Sequence, residues 1–177
     1  MTLLLGATGA GKTLLLKRLE IAPHISKNGT DLHFEEMPPT IPTVGTNLVT
    51  VSVGRRQEIT VREVGGCMGP IWKNYLKDAH NLLYVIDVAD RLQVAASCVQ
   101  LLSVLAAESL PLIPVLIVFN KIDMPDRMSP SEIESLFRLK DIAHCCGRKF
   151  DTVEVSSCSG KGLGEIISWM DKNTIGK

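Results

Sequence analysis

Short apolar runs recur along the chain, each bounded by turn-forming or helix-starting residues. In chain order they read TLLL, NLVTVSV, EITVREV, NLLYVIDV, PVLIVFN and DTVEVSS. The last four lie between stretches with helical periodicity, as β-α-β units require. Only Gly54, Arg55 and Arg56 separate the second run from the third, which predicts a hairpin. We therefore predict an α/β fold: a mixed, mostly parallel six-stranded sheet with helices on both faces.

Helical periodicity predicts four helices, at residues 12–21, 91–105, 131–139 and 163–172. The third has the clearest start, because Ser129, Pro130 and Glu132 fit an N-cap, a proline at the first helical position and a capping-box acid. A segment rich in proline, glycine and polar residues follows the first helix. It predicts a long loop that ends near Thr43.

Composition favours one soluble domain spanning residues 1–177, because 45% of the residues are hydrophobic and 21% are charged. Nineteen basic and nineteen acidic side chains cancel, so net charge does not favour nucleic acid as a partner. The five cysteines form no CxxC pair, which indicates reduced thiols in a cytoplasmic protein. The run from His144 to Cys146 lacks a second ligand pair at zinc spacing, so we interpret it as a buried helix end.

The segment GATGAGKT closes the first predicted strand and opens the first helix. G-x-x-x-x-G-K-[ST] at such a junction is typical of a phosphate-binding loop, or P-loop. Glycines allow unusual backbone angles and close approach of phosphate oxygens to backbone N–H groups. The lysine supplies a positive charge to the β- and γ-phosphates, and the threonine hydroxyl supplies a ligand for Mg²⁺. The predicted phosphate-binding residues are Gly6, Ala7, Thr8, Gly9, Ala10, Gly11, Lys12 and Thr13.

The segment NKID follows a second aliphatic strand and predicts guanine as the base. Asp123 can accept two charge-assisted hydrogen bonds from guanine N1–H and the 2-amino group, which adenine cannot supply. Asn120 can contact the other edge of the purine, and the stem of Lys121 can cover the ring. A later strand-to-helix turn, VSSCSGKGL, offers a backbone N–H of Ser157 or Cys158 to guanine O6.

These motifs, in this order, resemble the Ras-superfamily small GTPases, and IPTVGTNL followed by REVGG and PIWKNYL resembles the ADP-ribosylation factor-like branch. The resemblance covers essentially the whole chain. It implies a P-loop NTPase fold, GTP/GDP and Mg²⁺ as ligands, and a switch that contacts effectors and regulators in membrane trafficking. By position, Thr43 is similar to the catalytic first-switch threonine that closes on Mg²⁺ and the γ-phosphate. Gly66 is similar to the glycine whose N–H contacts that phosphate.

The chain departs from the family pattern at positions that matter for chemistry. Glu63 stands where the family has aspartate, so we expect it to hold Mg²⁺ through a water, indirectly or weakly. Cys67 stands at the catalytic position of the water-orienting glutamine, and a thiol is a poor substitute, so we expect slow hydrolysis. Thr46, Arg62 and Tyr75 align with three aromatic effector-binding positions, which predicts different effectors.

Two other functions remain open. One is a scaffold that binds nucleotide without cycling, which Glu63 and Cys67 favour. The other is a P-loop phosphotransferase, for which Arg127 and Arg138 are the arginines in a suitable stretch. The family's N-terminal amphipathic helix has no counterpart in this sequence, and no lipidation motif is present. We therefore expect a monomeric, cytoplasmic protein with no membrane anchor of its own.

Overall fold

The computed structural model describes residues 1–25, 38–54 and 57–173, and its centre is a six-stranded sheet. The strands are β1 (Thr2–Gly6), β2 (Thr46–Val53), β3 (Gln57–Val64), β4 (Asn81–Asp87), β5 (Val115–Asn120) and β6 (Phe150–Val155). Their order in the sheet is β2-β3-β1-β4-β5-β6, with β2 antiparallel to β3 and every other neighbouring pair parallel. All six predicted strands and the mixed sheet are confirmed.

Helices cover both faces of the sheet, as predicted. Successive strand side chains point to opposite faces, so Leu3 and Leu5 share one hydrophobic cluster with residues of the helices at 91–105 and 130–137. Leu4 belongs to the other cluster, with residues of the helices at 12–25 and 163–172. A 3₁₀ helix, Gly66–Ile71, precedes the short helix at 73–76 and was not predicted. The α-helices are α1 (Lys12–Ile25), α2 (Lys73–Leu76), α3 (Arg91–Leu105), α4 (Pro130–Phe137), α5 (Leu139–Cys146) and α6 (Leu163–Lys172).

The predicted start of α4 is confirmed, but its predicted end is wrong. The Ser129 hydroxyl accepts a hydrogen bond from the Glu132 N–H at 3.3 Å, and the Glu132 carboxylate accepts one from the Ser129 N–H at 2.7 Å. Arg138 has left-handed backbone angles (φ 47°, ψ 47°), which end α4 and separate it from α5. Helix α4 therefore ends at Phe137, two residues before its predicted end, and α5 is a separate helix that periodicity did not predict, because local periodicity does not reveal a single residue in a left-handed conformation.

The run from His144 to Cys146 is a helix end, but the prediction that it is buried is wrong. All three residues are exposed, because α5 lies on the surface with Leu139 as its buried residue. Helix α1 continues to Ile25, four residues past its predicted end. At the predicted hairpin turn Gly54 has a φ of 60°, while residues 55–56 lie outside the described residues, as do residues 26–37 of the predicted long loop. None of the helices in the described ranges has the length and hydropathy of a membrane-spanning segment.

Candidate nucleotide-binding site

The predicted binding motifs meet at one edge of the sheet. Because β1, β4, β5 and β6 are parallel, their carboxyl ends lie on the same side, where ligands bind in open α/β sheets. The P-loop (residues 6–13) begins at the end of β1, Asn120 ends β5, and Ser157 follows β6. Strand order thus brings together three segments that are far apart in the sequence.

The P-loop backbone requires glycine at two of its predicted positions. Gly6 and Gly11 have φ values of 146° and 89°. A Cβ atom on Gly6 would overlap the backbone carbonyl oxygen of Val85, and one on Gly11 would overlap the side-chain nitrogen Nδ2 of Asn120. The glycine spacing therefore reflects contacts with β4 and β5 as well as the local turn.

The Lys12 side chain folds back over the P-loop. It is buried, and its Nζ donates to the carbonyl oxygens of Gly6 and Ala7, both at 2.8 Å. Burial lowers the pKa of Lys12 to about 8, an effect that attraction to Glu63 and Cys67 partly offsets. Within the described part of the chain this ammonium makes no ion pair closer than 4.0 Å. An anionic ligand beside it would recover the electrostatic free energy that burial costs.

Three side-chain oxygens converge beside the P-loop. The Thr13 hydroxyl oxygen lies 2.9 Å from that of Thr43 and donates to Oε1 of Glu63 at 2.5 Å, while the Thr43 hydroxyl lies 3.4 Å from the same Oε1. The other carboxylate oxygen, Oε2 of Glu63, is buried without a hydrogen-bond partner among the described residues.

This donor set fits Mg²⁺. Neighbouring ligands on an octahedral Mg²⁺ lie about 3.0 Å apart, since its bonds are about 2.1 Å long, and the three oxygens form a triangle of similar size. The unpaired Oε2 of Glu63 could serve as a further ligand of the cation or accept a hydrogen bond from one of its waters. In the described residues no group of three His, Cys, Asp or Glu is placed to hold a metal, so a cation beside the P-loop would take ligands from the two threonine hydroxyls as well as from Glu63.

The glycine pair after β3 packs between the P-loop and the segment of Thr43. The Gly65 N–H donates to the carbonyl oxygen of Gly45 at 2.9 Å, and a Cβ atom on Gly66 would overlap the backbone nitrogen of Thr8. The Cys67 thiol is exposed, with its sulfur 3.8 Å from the carbonyl oxygen of Thr43. A cavity of about 250 Å³ is lined by predicted site residues Thr8, Gly9, Gly11, Lys12, Thr13, Thr43, Glu63, Gly66 and Cys67.

Asn120 joins the three loops of the site. Its side chain is 1% exposed; its Nδ2 donates to the carbonyl oxygen of Ala10 at 2.9 Å. Its Oδ1 accepts from the Ser157 N–H at 3.1 Å and from the Ser157 hydroxyl at 2.9 Å. The Ser157 N–H is therefore already used, whereas the N–H of exposed Cys158 has no acceptor among the described residues. Of the two predicted donors to guanine O6, Cys158 is the available one.

Lys121 and Asp123 follow Asn120 in the chain, next to its hydrogen bonds with Ala10 and Ser157. Lys121 has a φ of 70°, and its Nζ forms an ion pair with Oδ2 of Asp87 at 2.6 Å. The exposed Asp123 carboxylate has no hydrogen-bond partner in the described ranges, which leaves it available to a ligand. Sequence analysis missed Asp87, although its position as the last residue of β4 places it at the ligand-binding edge.

The two arginines considered for a phosphotransferase are engaged elsewhere. Arg127 forms an ion pair with Glu154 at 3.4 Å, and Arg138 forms one with Asp141 at 2.6 Å. Neither arginine lines the cavity beside the P-loop. The geometry therefore gives no support to a nucleotide kinase.

The fold and this arrangement of loops define a P-loop NTPase of the small-GTPase class. Comparison with known protein families matches the ADP-ribosylation factor family over residues 1–174. The chain belongs to the ADP-ribosylation factor family, which confirms the resemblance seen in its motifs. Members of this family bind GTP and GDP, typically with Mg²⁺, and are generally GTP hydrolases.

Individual relatives agree with this assignment. The chain is 50% identical over 170 residues to ADP-ribosylation factor-like protein 16 of Homo sapiens, covering 96% of the chain and 84% of that protein. It is 31% identical over 170 residues to ADP-ribosylation factor-like protein 3 of Saccharomyces cerevisiae, covering 95% and 82%. The solved structure of the Arl6 BBS3 small GTPase from Trypanosoma brucei with bound nucleotide analogue GppNp matches with a TM-score of 0.77 and 21% identity. That match covers 97% of this chain and 94% of the other, and it supports the fold.

Proposed function

We propose that this chain is a GTP-dependent regulatory switch that recruits protein effectors in membrane trafficking and hydrolyses GTP slowly. The observation that carries the proposal is the meeting of Thr43, Glu63 and Gly66 at the P-loop. Thr43 and Glu63 contact Thr13, and Gly66 packs against the backbone of Thr8. Segments that respond to a γ-phosphate must lie beside the loop that holds the phosphates, and the position of these three residues against the P-loop supports such a response.

In this proposal the P-loop backbone and Lys12 bind the phosphates of GTP. Thr13, Thr43 and Glu63 hold Mg²⁺, which supplies positive charge that offsets the charge of the phosphates. Because the Gly66 N–H contacts the γ-phosphate, and Thr43 closes on Mg²⁺ and that phosphate, only when GTP is bound, GTP favours the closed arrangement over GDP. A ligand shifts a conformational equilibrium only through such a difference in affinity.

The base is selected by the segment after β5. Asp123 accepts from guanine N1–H and the 2-amino group, the stem of Lys121 covers the ring, and the Cys158 N–H donates to O6. Asn120 keeps one amide hydrogen for the purine and fixes the loop that presents Asp123. The test is competition titration: guanosine nucleotides should displace a fluorescent GDP far better than adenosine nucleotides. Equal displacement would reject this assignment.

Slow hydrolysis follows from Cys67. Its thiol lies near the first switch, yet a thiol donates and accepts hydrogen bonds weakly and cannot orient an attacking water as an amide does. Cys67→Gln should therefore raise the single-turnover rate of GTP hydrolysis, with Cys67→Ser as a control of similar size. If Cys67→Gln and wild type hydrolyse GTP at the same rate, the side chain at this position is not what limits the reaction.

The effector surface differs from that of relatives. Thr46 is exposed on β2, and the guanidinium carbon of Arg62 lies 5.8 Å from the centre of the Tyr75 ring, within cation–π range. Thr46 and Arg62 in place of two aromatic side chains favour effectors with polar or acidic contact residues. We also propose that residues 1–177 act as one cytoplasmic, monomeric G domain.

The alternative is a scaffold that binds nucleotide without switching, and Glu63 and Cys67 are the residues that favour it. Paired affinities for GTP and GDP, each measured with and without Mg²⁺, distinguish the two functions. A switch requires different affinities, or different effector binding, in the two states. Equal affinities together with no hydrolysis would support the scaffold.

A further inference from the structure

Helix α3 faces solvent along one side yet carries no charged residue between Arg91 and Glu108. Leu92 is 94% exposed, Val99 66% and Leu102 41%. The small residues between them on the same side are exposed too: Ala95, Ala96, Ser103 and Ala106. The solvent side of a surface helix normally carries charged and polar residues. Single exposed apolar side chains are common, but a continuous uncharged stripe indicates a contact surface.

The stripe borders a groove formed with the segment that follows Cys67. The groove encloses about 570 Å³, with Trp72, Lys73 and Leu76 on one wall and Val99, Ser103 and Val104 on the other. This volume is within the range of ligand-binding cavities. Trp72, Leu76 and Val104 are buried and make the floor apolar, while Val99 stands at the rim.

Two polar groups at the groove lack partners among the described residues. The buried Oε1 of Gln100, which lies on the α3 wall, has no hydrogen-bond donor among the described residues. Lys73 is exposed, and its ammonium makes no ion pair closer than 4.0 Å with the described part of the chain. Lys73 alone is charged among the described residues that line the groove. Because the Gln100 oxygen is buried, the charge available to an occupant is that of Lys73, which an anion would match.

We infer that this groove binds an amphipathic helix of a partner protein, with an apolar side chain in the cavity and a carboxylate paired with Lys73. Both walls are helical, so an extended peptide would find no strand edge with which to pair its backbone groups. A helix forms its own backbone hydrogen bonds, so it can lie in an apolar groove without leaving buried backbone N–H and C=O groups unpaired. A second copy of this chain is a weaker candidate. Two α3 helices, each about 22 Å long, bury less than the ~800 Å² per partner of a stable interface.

The groove is coupled to the nucleotide site, and this part of the inference rests on the proposed function. The Trp72 indole N–H donates to the carbonyl oxygen of Gly65 at 3.1 Å, and the Met68 sulfur accepts from the Gly45 N–H at 3.1 Å. If the glycine pair moves when the γ-phosphate is lost, the Trp72 wall moves with it. The partner helix is therefore expected to bind the GTP form in preference to the GDP form.

The test uses a displayed library of 18-residue helical peptides with fixed leucines at i, i+3, i+4 and i+7 and randomised flanks. It is selected against the full chain loaded with a non-hydrolysable GTP analogue, after the bound nucleotide has been verified. Selected peptides should carry Asp or Glu at one fixed position. Val99→Glu and Lys73→Glu should each weaken binding at least about tenfold, and a lysine at that peptide position should restore binding to the Lys73→Glu protein.

Leu112→Glu is the matched control, because Leu112 is an exposed leucine, at 85%, that lies neither on the stripe nor in the lining of the groove. Its effect should stay within about twofold. The inference would be overturned if the selected peptides had no acidic position, or if they bound the Val99→Glu protein as tightly as wild type. Dimers in sedimentation that depend on Val99 would also overturn it. Equal affinity for the GDP form would overturn the coupling. A chain that fails to load guanine nucleotide would overturn the proposed function instead, and selection on nucleotide-free protein would still test the groove.

Discussion

Asn120→Ala tests whether this side chain holds the site together before any nucleotide binds. The substitution removes three hydrogen bonds, one to Ala10 and two from Ser157, at 2.9, 3.1 and 2.9 Å. Because the residue is 1% exposed, water does not readily replace them. The Ala10 carbonyl and the Ser157 N–H would lose their partners in a buried place.

The expected loss of stability is large. Each neutral hydrogen bond contributes about 1 kcal/mol, and a buried polar group left without a partner costs about 1–3 kcal/mol. Some of the orphaned groups can relax toward solvent, so we expect Asn120→Ala to lower the free energy of unfolding by about 3–4 kcal/mol. That is a substantial part of the ~5–15 kcal/mol typical of a domain.

Urea unfolding of the nucleotide-free protein measures this loss without any contribution from a base. Ser157→Ala, which removes one of the three bonds, should cost only about 1 kcal/mol. The double variant should be no more than about 0.5 kcal/mol less stable than Asn120→Ala, because the bond lost in Ser157→Ala is already absent. If Asn120→Ala weakened GDP binding but left nucleotide-free stability within about 0.5 kcal/mol of wild type, the claim that Asn120 stabilises the ligand-free site would be refuted. Asn120 would then contribute only through its contact with the bound guanine base.

Three further predictions concern individual site residues. Burial lowers the folded-state pKa of Lys12 to about 8 from its ordinary 10.5, so the unfolded chain binds more protons between these values and stability rises with pH there. Nucleotide-free wild type should gain up to about 3 kcal/mol relative to Lys12→Met from pH 8 to 10.5, and bound phosphate should suppress the gain. Gly66→Ala should weaken GTP binding more than GDP binding, because its Cβ would overlap the Thr8 backbone. Asp123→Asn should reduce the preference for guanosine over adenosine nucleotides in competition titrations.

Matched controls are available for these variants. Gly69→Ala changes the same 3₁₀ helix, but the nearest heavy atom to its Cβ would be 3.7 Å away, so GTP affinity should be retained. Asp126→Asn neutralises an exposed carboxylate close to Asp123 in the sequence and should leave base preference unchanged. Parallel pH dependence in wild type and Lys12→Met would show that other groups control stability in that range.

Local patterns in the sequence were sufficient to predict the strands, two helices to the residue and the P-loop. These features depend on neighbouring residues: alternation of apolar side chains, the Ser129 capping box, and glycines where φ must be positive. The family resemblance added the positions of Thr43 and Gly66. The left-handed Arg138 and the exposure of α5 were not predictable in this way, since each depends on how a helix packs against the rest of the chain.

Tertiary structure decided how the site is built. Asn120 bonds to Ala10, 110 positions away, and Glu63 reaches Thr13 across 50 positions. The motifs identify residues that can bind a nucleotide, but strand order and side-chain direction determine that Ser157 is already engaged and that Oε2 of Glu63 is left without a partner. The groove beside α3 likewise exists only because Trp72 packs opposite that helix. Such contacts depend on distances in the folded chain, and a one-dimensional pattern contains no information about them unless a local geometric rule fixes the spacing.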